Sequence, residues 1–231
     1  MKSIPSVAVA LLLVLPVAAE AQFYPVQREP TGWFSLGVGA FNAGEVDDGK
    51  TGTTWDFGNR TSAQYRLTLE RAFRGGMSYG LAGTFVRAPI QYSSFAVVPD
   101  LSGETCASCD AKVDIMSLYA LFHAGGGAGF HQVIEAGVGV TSYQNFKRES
   151  DGAKLAPTSA ERDFGFVFAY GFGYTLSPRS AVNLVQEYGF NLHESRGAPS
   201  GGSNSMRFGN TRLSFRVGLG GNAPQVRPRR R

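Results

Sequence analysis

The chain has 231 residues, enough for one barrel or one large domain, with no shift in composition that would mark a second unit. Its net charge of +4 is carried by Arg227, Arg229, Arg230 and Arg231 at the C-terminus. The rest of the chain is near neutral and lacks the spread basic face of a nucleic-acid binder.

Met1 and Lys2 precede an apolar run over residues 4–19, and Ala19-Glu20-Ala21 places small residues at both positions of a cleavage site. Residues 1–21 therefore read as a secretory leader cut before Gln22. No later stretch reaches the ~18 apolar residues of a spanning helix. A membrane protein without such helices must close its backbone hydrogen bonds in a barrel.

From Trp33 onward one theme recurs: runs of about ten residues with alternating apolar and small or polar positions, ended by Gly, Asn, Ser or Pro. Eight such runs cover residues 33–41, 63–73, 77–88, 113–122, 132–143, 163–175, 181–192 and 210–219. In the sixth, Phe164, Phe166, Phe168, Tyr170, Phe172 and Tyr174 share one face, opposite Gly165, Val167, Ala169, Gly171 and Gly173. In the eighth, Leu213, Phe215, Val217 and Leu219 oppose Arg212, Ser214, Arg216 and Gly218. The fourth run is apolar on both parities and has no readable orientation.

The connections alternate in length. Those after runs two, four and six are short (Arg74-Gly75-Gly76, residues 124–129 and residues 177–180), whereas those after runs one, three, five and seven are long and polar. Short periplasmic turns and long external loops are the rule for outer-membrane barrels. The predicted fold is all-β, an eight-stranded antiparallel transmembrane up-and-down barrel over residues 33–220. A periplasmic segment (22–32) precedes it, a basic Pro/Arg tail (221–231) follows, and both chain ends lie in the periplasm.

A soluble lipocalin-like carrier would invert this pattern, with its apolar face inside. The non-apolar face here is rich in glycine, including Gly37, Gly39, Gly80, Gly137, Gly139, Gly165, Gly171, Gly173, Gly189 and Gly218. Glycine weakens a solvated outer face without gain, but makes room inside a narrow barrel. The apolar face is therefore placed outward. The inward face then carries Arg66, Glu70, Glu135, Glu187, Arg212 and Arg216, and such buried charges are tolerated when paired. Glu187 lies on the strand next to that of Arg212 and Arg216 and is expected to share the inward face with them, and three cations and three anions are expected to form a salt-bridge network that fills the lumen.

The leader, the eight runs, the polar interior and the last run, Arg212-Leu213-Ser214-Phe215-Arg216-Val217-Gly218-Leu219-Gly220, together resemble the OmpA/OmpX type of small outer-membrane barrel. The resemblance implies a bacterial outer-membrane location, contact with outer-membrane lipid and lipopolysaccharide, folding by periplasmic chaperones and the barrel-assembly machinery, and a monomer. In that family the final strand closes at a C-terminal Phe, whereas here the tail continues to Arg231.

Cys106 and Cys109 have CxxC spacing, open to a redox pair, half a metal site or a loop disulfide. No second CxxC or His cluster accompanies them. The reading adopted is a disulfide in the second external loop, with no metal or cofactor. His123 and His131 flank a short turn and read as boundary residues. His193 and Ser195 share a face at a strand end, where outer-membrane lipid A deacylase barrels look similar. A hydrolase would also need an acid to orient the base; no Asp or Glu follows Glu194, and Glu194 points the other way. The expectation is a non-enzymatic barrel with an envelope-structural or surface-interaction role through its external loops. The alternatives are a lipid A esterase, a narrow solute or ion pore, and the soluble carrier.

Overall fold

A computed structural model describes residues 30–58, 60–95, 103–193 and 205–221. The leader, most of the segment 22–32, the tail from 222 onward, Glu194 and Ser195 lie outside the described residues. The strands are β1 (Gly32–Ala43), β2 (Val46–Asp48), β3 (Thr53–Asp56), β4 (Ser62–Ala72), β5 (Met77–Ser94), β6 (Cys109–Ala124), β7 (Gly129–Arg148), β8 (Glu161–Ser177), β9 (Ser180–Leu192) and β10 (Ser205–Leu219). Among them β1 and β4 to β10 form a ring in which every neighbour is antiparallel. β1 pairs with both β4 and β10, and β5 with β6 closes the circle. The fold is a closed eight-stranded barrel, and closure removes the unpaired edges an open sheet would leave.

Orientation follows the alternation. Phe164, Phe166, Phe168, Tyr170, Phe172 and Tyr174 all face outward, as do Leu36, Leu67, Leu81, Leu118, Val138, Leu184 and Leu213 on the other strands. The intervening residues face the lumen, among them all ten glycines named above. At Gly189 the reason is direct: a Cβ there would overlap the Phe208 ring. The outward apolar belt ends at its outer margin in charge. Arg87 Nε donates to Asp114 Oδ1 at 2.7 Å, Asn145 Nδ2 donates to Asp114 Oδ2 at 3.0 Å, and Arg162 and Arg207 are exposed nearby on their strands.

Several strands outrun the sequence pattern. β5 continues to Ser94, although the run reads as stopping at Ala88 before Pro89. Pro89 pairs with Lys112 on β6, and on its other side falls in the gap between the end of the β4 pairing at Val86 and the start of the β3 pairing at Gln91, where a missing N–H is tolerated. The fourth run also gains an orientation. Val113, Ile115, Tyr119 and Leu121 are buried in the lumen while Met116, Leu118 and Phe122 face outward. Both parities are apolar because the outer half of the lumen is apolar, which corrects the expectation of a polar interior throughout.

The filling of that outer half comes from the first external loop. Instead of a polar loop, it holds the hairpin of β2 and β3, and β3 pairs with the outer end of β5, Trp55 opposite Tyr92. Val46, Trp55 and Phe57 are buried there with Phe41, Ile90, Tyr143, Phe146, Met206 and Phe208. The Trp55 ring centroid lies 4.7 Å from Phe146 and 5.5 Å from Tyr143. The hairpin thus plugs the external mouth. Large-to-small changes at buried aromatics cost about 3–5 kcal/mol, so Trp55→Ala should lower the urea midpoint of the refolded barrel far more than Trp55→Phe. A Trp55→Ala protein unfolding with the wild type would show that the hairpin does not pack as described.

Candidate functional site: the lumen and the outer rim

At mid-height the lumen is crossed by charge. Arg66 on β4, Glu135 on β7, Glu187 on β9 and Arg212 on β10 meet there, each almost fully buried. Glu187 accepts from Arg66 and, at 2.7 Å, from Arg212; Glu135 accepts from Arg212 at 2.5 Å and from Arg66 at 3.3 Å. Every cation touches both anions, the arrangement that offsets the desolvation of four buried charges. The space left around this group measures about 10 Å³, no more than a single water-sized probe sphere of ~10–15 Å³.

Toward the short-turn end the network continues. Arg216 donates to Glu70 at 2.7 Å, and Glu70 also accepts from Thr68 at 2.9 Å and from Ser78. A second Arg216 nitrogen lies 2.7 Å from His123 Nε2, and His123 Nδ1 lies 3.3 Å from Glu135. An arginine can only donate, so His123 Nε2 accepts and its Nδ1–H points to Glu135. The Arg216 guanidinium also sits 4.8 Å from the centre of the Trp33 ring. The structure brings together all six charged residues that the sequence placed inward. Arg216 pairs with Glu70, while Glu187 holds Arg66 and Arg212. Arg212 and Arg216 are four residues apart on an extended strand, about 13 Å, and serve different levels of the lumen. His123, at the end of β6 beside the short turn, is fully buried within the network.

The second cluster sits at the outer rim. His193, just past β9, turns into the lumen and is 7% exposed. Its Nδ1 lies 2.8 and 3.0 Å from the two carboxylate oxygens of Asp163 on β8, and its Nε2 lies 3.5 Å from Asp48 Oδ1 on β2. The Trp55 ring is 5.2 Å from the imidazole. The acid that the sequence reading sought after His193 therefore comes from before it, through strand pairing, and there are two of them. Burial alone would lower the His193 pKa, but the bonds and charges of Asp163 and Asp48 outweigh it and raise the pKa to about 9. Burial would likewise raise Asp48, yet His193 and the Thr51 hydroxyl, at 2.5 Å, hold its carboxyl below the ordinary range. In the second external loop the Cys106 and Cys109 sulfurs lie together with their Cα atoms 6.1 Å apart, packed against the buried cluster under the mouth.

His193 ties the plugging hairpin to the barrel wall, and its raised pKa fixes the sign of the pH effect. Its contribution to stability is complete below its unfolded pKa of about 6.5 and is lost as pH rises through about 9. The Asp48 contribution is present above its unfolded pKa of about 3.8 and is lost in more acidic solution. The urea midpoint of the wild type should therefore fall between pH 7 and 9.5, while that of His193→Gln stays nearly level across the same range. Parallel slopes for the two proteins would contradict the clasp.

No family model matches the sequence, and no curated protein is significantly similar to it. Solved structures do match. The chain is similar to Neisserial surface protein A (NspA), with a TM-score of 0.51 at 10% identity over 84% of this chain and 100% of that one. It is also similar to Ail, the attachment invasion locus protein of Yersinia pestis (TM-score 0.43, 13% identity, 82% of this chain and 99% of that one). A third match is the outer membrane protein OprG from Pseudomonas aeruginosa (TM-score 0.42, 14% identity, 83% of this chain and 95% of that one). With its closed ring of eight antiparallel strands, apolar outside and charge-filled inside, the chain has the fold of the small outer-membrane β-barrels of the OmpA/OmpX type.

Proposed function

We propose that the protein resides in a bacterial outer membrane as a monomeric, non-conducting and non-enzymatic barrel that acts through its external surface. The observation that carries this reading is the occluded lumen. A solute moving along the axis would meet the Arg66, Glu135, Glu187 and Arg212 group at mid-height and the Trp55 cluster above it. Opening the first would strand buried charges, and opening the second would expose a buried aromatic core. The outward belt of large apolar side chains supports the membrane location, since on a water-soluble barrel so many exposed aromatics would drive aggregation. Contact with outer-membrane lipid and lipopolysaccharide, delivery by periplasmic chaperones and insertion by the barrel-assembly machinery belong to the same proposal, as does an oxidised Cys106–Cys109 pair on the external side.

The esterase alternative is weakened by the surroundings of His193. A general base must be free to take a proton near neutral pH, and an imidazole held between two carboxylates already carries one. It also faces the lumen, away from the lipid in which an acyl substrate lies. Refolded protein in planar bilayers should give no stepwise conductance, and incubation with outer-membrane lipids should release no fatty acid. Discrete openings in the wild type, or fatty-acid release abolished by His193→Ala, would overturn the reading.

A further inference from the structure

On the wall formed by β6, β7 and β8 the outward side chains fall into rows, because residues opposite one another in the register share a face. Leu118, Val140 and Phe164 make one row, and Met116, Ser142 and Arg162 make the next toward the external side. Asp114 and Gln144 follow. Beyond Tyr143 the third external loop takes the place of β8 beside β7. There Lys154 stands opposite Lys147, and Lys147 on its other side stands opposite Lys112. The fourth row is therefore three lysines, all exposed. Their outward direction is fixed by their chain neighbours Val113, Phe146 and Leu155, which are buried in the apolar cluster under the mouth.

Like charges directly opposite one another repel, and here they stand close. Arg148 N donates to Ala153 O at 2.9 Å and Leu155 N to Phe146 O at 3.0 Å. These bonds flank Lys147 and Lys154 and make them a non-hydrogen-bonded pair, the kind whose Cα atoms lie about 4.5 Å apart. The acids at hand do not neutralise the row. Asp114 is held by Arg87 and Asn145, and Glu149 reaches Lys112 at 3.4 Å in a solvent-exposed pair that contributes little. Lys147 and Lys154 make no side-chain hydrogen bond or ion pair among the described residues. The row is short of an anion that these residues do not supply.

The height of the row selects that anion. On β8 the outward aromatics run from Tyr174 to Phe164, which is about 33 Å of strand and, at a tilt of about 40°, the ~25 Å of an outer-membrane apolar band. From Leu118, level with Phe164, the chain runs on along β6 to Lys112, about 20 Å of strand and about 15 Å of height by the same geometry. A phospholipid headgroup layer is only about 5–8 Å thick on each side, so its phosphates lie well below the row. A phosphorylated saccharide standing on acyl chains reaches it, and the lysine stems can bend down to meet it.

We propose that this row binds the phosphates of an outer-leaflet glycolipid, with a phosphorylated saccharide on Lys112, Lys147 and Lys154 and its acyl chains against Leu118, Val140 and Phe164 below. The proposal gives the lipopolysaccharide contact a place on the barrel, and it rests on the outer-membrane location proposed above. Isothermal titration of the full chain, refolded in a zwitterionic detergent, with lipopolysaccharide and with the same material stripped of phosphate tests it. The intact form should bind saturably, and about tenfold or more tighter than the dephosphorylated form, since each lysine near an anionic surface adds to the attraction. Lys112→Gln, Lys147→Gln and Lys154→Gln combined should weaken binding of the intact form about tenfold or more and leave the dephosphorylated form unchanged. Arg207→Gln, outward on β10 three strands away from β7, should change neither.

Equal binding of the two forms, a triple variant that binds intact lipopolysaccharide like the wild type, or an equal loss in Arg207→Gln would overturn the proposal. So would saturable binding of inositol hexakisphosphate with none of lipopolysaccharide, which would give the row to a soluble polyanion. Heat-modifiable migration of each sample on gels reports barrel formation apart from binding. A chain that forms no such barrel contradicts the membrane location itself, whereas an intact barrel without phosphate-dependent binding contradicts this site alone.

Discussion

An eight-stranded ring that turns most of its large apolar side chains outward must fill the narrow middle of its bore largely with small and polar residues. The answer in this chain is a ring of ion pairs. Arg66, Arg212, Glu135 and Glu187 come from four different strands and meet at one level, so each pair is also a cross-link across the barrel. Charges buried to this degree cost several kcal/mol each in lost hydration, and mutual attraction offsets that cost only when geometry is good and none is left alone. The glycines that share the inward face follow from the same constraint. They leave the width that guanidinium groups need to reach across, as where Arg212 lies over Gly37.

Above this level the bore is closed by different physics. The β2–β3 hairpin bends over the mouth and buries Trp55, Val46 and Phe57, so the outer half holds an ordinary apolar core inside a barrel whose outer face is also apolar. The two halves are joined by polar side chains: Tyr119, Thr141, Asn191 and Tyr143 form a hydrogen-bonded line along the wall toward Asp163 and His193. At the rim, His193 and the charges around it meet both the mouth and the edge of the apolar belt.

Much of this architecture is legible in the sequence because a strand writes its two faces on alternate residues. The sixth run gives its orientation from six aromatics on one parity, and Arg66, Glu70, Glu135, Glu187, Arg212 and Arg216 can be assigned inward by the same rule. Which of them pair is not written there, since it depends on register between strands; Glu187 stands beside Asn210, and so its partners are Arg66 and Arg212. The fourth run resists orientation for a physical reason, because its outward-facing positions belong to the apolar belt and its inward-facing ones to the apolar plug. The β2–β3 hairpin is hidden by its composition: Asp47, Asp48 and Lys50 look like a solvated loop, and only closure of the barrel shows that Asp48 is needed under His193. The sequence marks that site only by His193 and by Asp163, an inward-facing acid at the outer end of the sixth run.

The central claim is that the mid-lumen charges act as one coupled unit. A double-mutant cycle on Glu187→Ala and Arg212→Ala, read by urea unfolding of the refolded barrel in detergent, tests it directly. Each single substitution leaves buried charge uncompensated and should cost about 3–5 kcal/mol, while the double variant should cost well below the sum of the two. Single costs that add to within about 0.5 kcal/mol, as for distant independent sites, would show that the network does not hold the barrel together.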